Sequence, residues 1–205
     1  MMRKLLLMTL LLVCTMTWAQ HKTNEQMGGV YYAYPVTTTL LAQPPKGYEP
    51  FYISHYGRHG SRWLTSDARY IWVNEQFADT KNLTRLGKSV RKRLEKVWKN
   101  AKGNGGKLTP LGARQHRAIA KRMYQNFPQL FTPDAHITAH SSVVGRCRSS
   151  MLAFVDELAH LTTLPPIQAV TDTADMAWIA YTSPEERALE HRTFKFNNNK
   201  LFFII

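Results

Sequence analysis

Short apolar runs alternate with helical periodicities along this chain, and turn residues separate them. Phe51-Tyr52-Ile53-Ser54 follows the turn Pro44-Pro45-Lys46-Gly47 and reads as a buried strand. Residues 66 to 79 read as a helix with Ser66 as its N-cap. Leu83, Leu86, Val90, Leu94 and Val97 recur at helical spacing and predict a second helix. Thr109-Pro110 opens a third, with Thr as N-cap and Pro at the first helical position. Leu111, Ala118, Ile119, Met123 and Phe127 give that helix its apolar face. Ile137-Thr138-Ala139-His140 predicts a second strand, followed by a helix from about Val144 to His160 that carries Met151, Phe154, Val155 and Leu158. Pro165-Pro166 ends it, and Ile167 to Val170 predicts a third strand. Residues 20 to 50, polar and then rich in Tyr, Thr and Pro, are expected to wrap the surface. The closing run Leu201-Phe202-Phe203-Ile204-Ile205 fits a final strand, translation in a shifted frame or a truncated gene.

The first residues change the picture of where the chain works. Arg3 and Lys4 precede an apolar stretch from Leu5 to Val13, and Thr17-Trp18-Ala19 offers a cleavage site before Gln20. Residues 1–19 therefore read as a signal peptide, and the protein as periplasmic or secreted. The stretch is too short for a comfortable membrane span, so no stable span is expected after cleavage. Cys14 raises a lipoprotein anchor, for which Val13 is a poor preceding residue. Loss of the leader leaves Cys147 without an internal disulfide partner. No Cys/His cluster has zinc spacing, and no metal or cofactor is expected.

Charge narrows the partners. The chain holds 27 Lys and Arg against 14 Asp and Glu, a formal net charge of +13. Such an excess implies anionic partners. In an exported protein, a polyphosphorylated small molecule or an anionic membrane surface fits better than nucleic acid. Lys88, Arg91, Lys92, Arg93, Lys96 and Lys99 lie between the apolar positions of the second helix. They read as a solvated face, with a wall that draws in a polyanion as the sharper alternative. No aromatic residues interleave with them in a stacking pattern, which disfavours a nucleic-acid-binding domain. Lys102-Gly103-Asn104-Gly105-Gly106-Lys107 lacks the Lys-Ser/Thr of a P-loop and reads as a flexible loop.

Arg58-His59-Gly60-Ser61-Arg62 carries the chemistry. Arginine presents a planar fork of donors that fits phosphate oxygens two at a time. Histidine can carry a covalent intermediate, and Gly60 allows a tight turn and close approach of a ligand. The combination describes a site that binds a phosphoryl group and attacks it. Arg146 falls in the first turn of its helix, where anions are favoured, although placement alone suits a surface arginine as well. His116, inside an amphipathic helix, and His140, at a strand end, read as structural.

Four segments carry a family resemblance: Ser54 to Arg62, Thr65 with Leu64 in place of a usual proline, Leu108-Thr109-Pro110-Leu111-Gly112-Ala113-Arg114-Gln115-His116, and Ser141-Ser142-Val143-Val144-Gly145-Arg146-Cys147. In order and spacing they resemble the histidine phosphatase superfamily, in its histidine acid phosphatase branch. More narrowly they resemble bacterial multiple inositol-polyphosphate phosphatases, which include phytases. The resemblance implies an α/β fold of the phosphoglycerate-mutase kind. That fold is a central, mostly parallel sheet flanked by helices, here with a helical insertion at about 66–128 in a domain of residues 20–205, incomplete at the C-terminus. It implies that His59 becomes a phosphohistidine, with Arg58, Arg62 and Arg146 on the phosphoryl oxygens and Thr65 among the substrate contacts. Positive charge around His59 should lower its pKa and keep it neutral. Members also bring a His-Asp or His-Ala-Glu motif whose acidic residue protonates the leaving group, and no such motif occurs here. Glu185, Glu186, Glu190 and His191 do not match it. Loss of a general acid costs about 10²–10⁴-fold in rate. The expected activity is thus phosphomonoester hydrolysis on inositol polyphosphates, bisphosphoglycerate or sugar phosphates. The alternative is an impaired form that only binds phosphate esters.

Overall fold

A computed structural model describes residues 44–180 without a break, scattered positions within 23–42 and at 183–185, and the backbone of Phe202–Ile204. The chain divides into two compact units, Met1–Pro35 and Val36–Ile205, and the sheet and its helices belong to the second. The leader and cleavage site lie outside the described residues, as do Glu186, Glu190 and His191. So does most of the segment expected to wrap the surface, in which Leu41 N–H donates to Asn126 Oδ1.

Helices and a four-stranded sheet make an α/β arrangement. Strand β1 is Tyr56–Arg58, β2 Thr138–Ser141, β3 Gln168–Thr171 and β4 Phe202–Ile204, in the sheet order β1-β4-β2-β3. Parallel strands need a long crossover. The 17-residue helix Gly145–Leu161, α4, supplies one between β2 and β3, which pair in parallel with His140 beside Val170. β4 runs antiparallel to both β1 and β2, the final-strand reading of that apolar run. Helix α1 spans Asp67–Glu75, α2 Arg85–Ala101, α3 Pro110–Asn126, and a short α5 Met176–Ile179.

Capping explains where two of these helices begin. The Thr84 hydroxyl accepts from Gly87 N–H at the start of α2, and the Thr109 hydroxyl accepts from Gly112 N–H at the start of α3. Ser66 occupies the N-cap of α1 but makes no capping bond. That helix ends at Glu75 rather than near 79. The backbone tightens into turns from Phe77 to Asn74 and from Ala78 to Glu75, and Asp79 then captures Lys81 N–H and the Asn82 amide.

The core lies between α3 and α4. Ala120, Phe131, Phe154 and Leu158 are buried together, with Ile53, Ile119, Met123 and Tyr124 packed around them. A second cluster, Ala139, Met151 and Val155, joins α4 to the sheet.

The first strand is misplaced by the sequence pattern. Residues 51–54 form no strand, and Phe51 and Tyr52 are 92% and 74% exposed. β4 reaches only from Tyr56 to Arg58, so pairing starts there. Ile53, His55, Gly57 and His59 turn inward in strict alternation while Ser54, Tyr56 and Arg58 face out. Period two, rather than apolar content, sets the burial of this segment and delivers His59 to the inner side.

Candidate active site

Two glycines bring the site together. A Cβ on Gly60 would lie 2.5 Å from the Gly112 carbonyl oxygen, and one on Gly112 would collide with the Ser61 carbonyl oxygen. The turn after β1 therefore rests backbone to backbone on the first turn of α3. Thr109 secures it twice, since its N–H and its hydroxyl both donate to the Ser61 carbonyl, at 2.9 and 2.8 Å. Ser61 N–H donates to Gln115 Oε1 at 2.9 Å. From the other side, Gly60 N–H donates to Ser150 Oγ at 3.1 Å, and that hydroxyl donates to the Arg146 carbonyl at 2.8 Å. Arg62 bridges to Leu108, and Trp63 N–H and Gly106 N–H bond the carbonyls of Lys107 and Leu64. The turn is clamped between α3, α4 and the loop that follows α2.

His59 is buried within this clamp. Its Nδ1 lies 2.8 Å from the Gly60 carbonyl oxygen. A carbonyl only accepts, so Nδ1 carries the proton and Nε2 keeps the free lone pair. Burial lowers the His59 pKa to about 4 against the raising effect of the Gly60 bond, and the charges of Arg146, Arg58 and Arg62 lower it too. Above that pH the ring is neutral, as a nitrogen nucleophile must be.

Among the described residues the arginines stand without counter-charges. Neither of the two ion pairs among the described residues, Arg91–Glu95 and His140–Asp175, involves Arg58, Arg62 or Arg146. Arg58 is exposed at the end of β1, and Arg62 is half-buried with Nη1 donating to the Trp63 carbonyl. Arg146 is buried, and its Nε and Nη2 have no hydrogen-bond partner among the described residues. These two nitrogens share one edge of the guanidinium and point parallel, the geometry that grips two oxygens of one phosphate or carboxylate. Burial lowers the Arg146 pKa against the raising effect of Cys147, and Arg62 and Arg58 add to the lowering.

Thr65 is exposed. Its carbonyl lies against Gly105 and Gly106, and Gly106 faces Arg146 Nη1. His140 bonds Asp175 through Nδ1 at 2.8 Å, a local pairing. Cys147 is buried and reduced, and burial pushes its thiol pKa up, away from nucleophile chemistry. No group of three or more His, Cys, Asp or Glu among the described residues could hold a metal ion.

His116, read as structural from its sequence setting, lies beside the candidate site. It is buried on α3, where its ring bonds the Arg58 backbone and its charge would act on His59. Burial, then His55 and His59, lower its pKa to about 4 against that bond. His55 stacks on Phe154 with ring centroids 5.6 Å apart. Gln115 and Ser150 hold the turn and carried no signal beyond their position, Ser150 being one helical turn after Arg146.

No protein-family model matches the chain, and no curated protein matches it. Among solved structures it is similar to a multiple inositol polyphosphate phosphatase of Bifidobacterium longum. The form in complex with inositol hexasulfate is 29% identical over 63% of this chain, at a TM-score of 0.47. The phosphate complex and the apo form are each 30% identical over 58% of this chain, also at 0.47. The match spans 28% of the length of the first of these structures and 26% of the other two.

Proposed function

We propose that this chain carries the nucleophile and phosphate cradle of a phosphomonoesterase acting on inositol polyphosphates or related small phosphate esters. One observation supports it above the rest: a buried arginine with two parallel donors that have no partner among the described residues stands in the same site as a buried neutral histidine. His59 Nε2 would bond to phosphorus as the ester P–O bond breaks. Arg58, Arg62 and Arg146 would hold the non-bridging oxygens as charge develops. The leaving alkoxide would take its proton from water, no general acid being identified among the described residues. Water then adds to phosphorus, the P–N bond breaks, and phosphate leaves with His59 neutral again. The high positive charge favours a substrate with several phosphates. The inositol polyphosphates named for the Bifidobacterium longum protein belong to that class. Phosphate release from inositol hexakisphosphate, with His59→Ala as control, tests the reading. Release that survives His59→Ala would overturn it.

A second reading, a phosphate-ester binder without turnover, is favoured by a separate observation. Among the described residues no carboxylic acid bonds His59 or the three arginines. Calorimetry with inositol hexakisphosphate separates the two, since binding without release supports the second and absence of binding rejects both. The same proposal has residues 1–19 removed on export and the mature chain begin at Gln20, in a periplasmic or secreted protein. N-terminal sequencing of exported protein should begin at Gln20, and a start at Met1 would reject the leader.

A further inference from the structure

Helix α2 takes no part in the site, yet it carries a dense and one-sided charge. At 3.6 residues per turn, Arg85, Lys88, Lys92, Lys96 and Lys99 fall within an arc of about 80°. The stripe runs about 21 Å along the helix at 1.5 Å per residue. All five side chains are exposed, and none forms an ion pair among the described residues. Glu95 is the helix's acidic residue, and Arg91 already holds it at 2.9 Å. About 60° past the charged arc lies Arg93, and just beyond it lie Leu86 and Val97, 68% and 44% exposed. The face away from the charged arc is engaged among the described residues: Ala101 is buried, Val90 and Leu94 are half-buried, Trp98 meets Tyr70 of α1, and Arg91 reaches the Ala78 carbonyl.

We propose that this face of α2 docks the protein on an anionic lipid bilayer. Each part of the pattern has its counterpart there. A convex stripe of this length fits an extended charged surface, whereas a small polyphosphate needs a concave pocket that surrounds it. Lysine ammonium groups are flexible point charges suited to a fluid array of headgroups rather than to one fixed phosphate. Exposed Leu86 and Val97 beside the cations give the helix the two-sided character of an interfacial helix, apolar residues entering the headgroup boundary while lysines stay above it. No helix among the described residues is long and apolar enough to cross a membrane.

The test is co-sedimentation of the purified chain with vesicles of phosphatidylglycerol and phosphatidylcholine, against phosphatidylcholine alone, at low and high salt. One variant combines Lys88→Gln, Lys92→Gln and Lys96→Gln, and a second combines Arg114→Gln, Arg117→Gln and Lys121→Gln on the exposed side of α3. Glutamine keeps helix propensity, and circular dichroism confirms that both remain folded. The two variants lose the same charge from different faces. Each basic residue at a membrane surface is worth roughly a fivefold change in partitioning. The α2 variant should therefore bind anionic vesicles about 100-fold more weakly, and the α3 variant within about threefold of the parent. Leu86→Gln should make the remaining binding more salt-sensitive. Equal losses in the two triple variants would overturn the proposal by reducing it to net charge. So would equal affinity for phosphatidylcholine alone, or displacement from vesicles by stoichiometric duplex DNA.

Discussion

Arg146 should make the empty protein less stable than it could be. Its Nε and Nη2 are buried without partners among the described residues, and two further arginines add repulsion. A buried donor left unsatisfied costs about 1–3 kcal/mol. Two such donors on a charged group therefore cost about 2–6 kcal/mol in the absence of an anion. Arg146→Met keeps an unbranched side chain of helix-compatible shape and removes both donors and the charge. Imperfect filling of the site takes back about 1–2 kcal/mol. The net expectation is a stabilisation of about 2 kcal/mol, or about 4–8 °C in Tm for a chain of this size. Replacing a conspicuous buried polar residue usually destabilises, so the sign is diagnostic.

Urea unfolding of the two proteins, with and without inorganic phosphate, reads both halves of the argument. The parent should gain about 2.7 kcal/mol at a phosphate concentration of about 100 Kd. The Met variant should gain nothing, so the order of stability closes or reverses as phosphate is added. An unchanged urea slope would show that the unfolded states are comparable. A variant less stable than the parent by about 1 kcal/mol without phosphate would refute the reasoning, because the guanidinium would then have structural partners. Equal stabilisation of both proteins by phosphate would refute it from the other side.

Acid should unfold the protein through its buried histidines. His59 and His116 have pKa values lowered to about 4 from 6.5, so between those values the unfolded chain binds more protons than the folded one. The stability they contribute is complete above about pH 6.5 and falls towards pH 4 by up to about 1.4 kcal/mol per pH unit for each histidine. His116→Gln should flatten that slope, and a slope unchanged in the variant would reject its share. Gly112→Ala forces a methyl group into the Ser61 carbonyl and the Leu108 side chain. It should cost about 1–3 kcal/mol in urea unfolding and lower turnover by displacing His59; a stable, fully active variant would show that the clamp can yield.

The parts of this fold that the sequence revealed are those whose cause is local. Thr109-Pro110 fixes the start of α3 within its own first turn, and the apolar spacing of α4 follows from one helix face meeting one core. β1 misled because apolar content was taken for burial. Its true signal was the alternation beginning at Ile53, which only the position of β4 makes visible. Leu86 and Val97 continue the apolar period of α2 yet remain exposed, because α1 covers one flank of that helix. In the site, Arg58, His59 and Arg62 sit in one five-residue motif and declare themselves. Gln115 and Ser150 reach the same turn across 54 and 90 residues, and no local pattern announces such partners.

Those distant partners bear on how the proposed phosphate site would hold an anion. Many anion sites use main-chain N–H groups at a glycine-rich turn. Here the N–H groups of Gly60 and Ser61 are taken by Ser150 and Gln115, and those of Trp63 and Leu64 by the Lys107 carbonyl and the Tyr70 hydroxyl. The turn spends these four donors on its own rigidity. Among the described residues, open donors remain on the side chain of Arg146, and Arg58 and Arg62 form no ion pair. Geometry is therefore held by the backbone and charge is supplied by guanidinium. Nδ1 of His59 is tied to the same rigid turn, so the bonds that orient the proposed nucleophile are independent of those left open for an anion. A substitution of Gln115 or Ser150 should thus disturb the direction of Nε2, whereas one of Arg146 should disturb the affinity for oxyanions. The separation follows from which hydrogen bonds are already made before any ligand arrives.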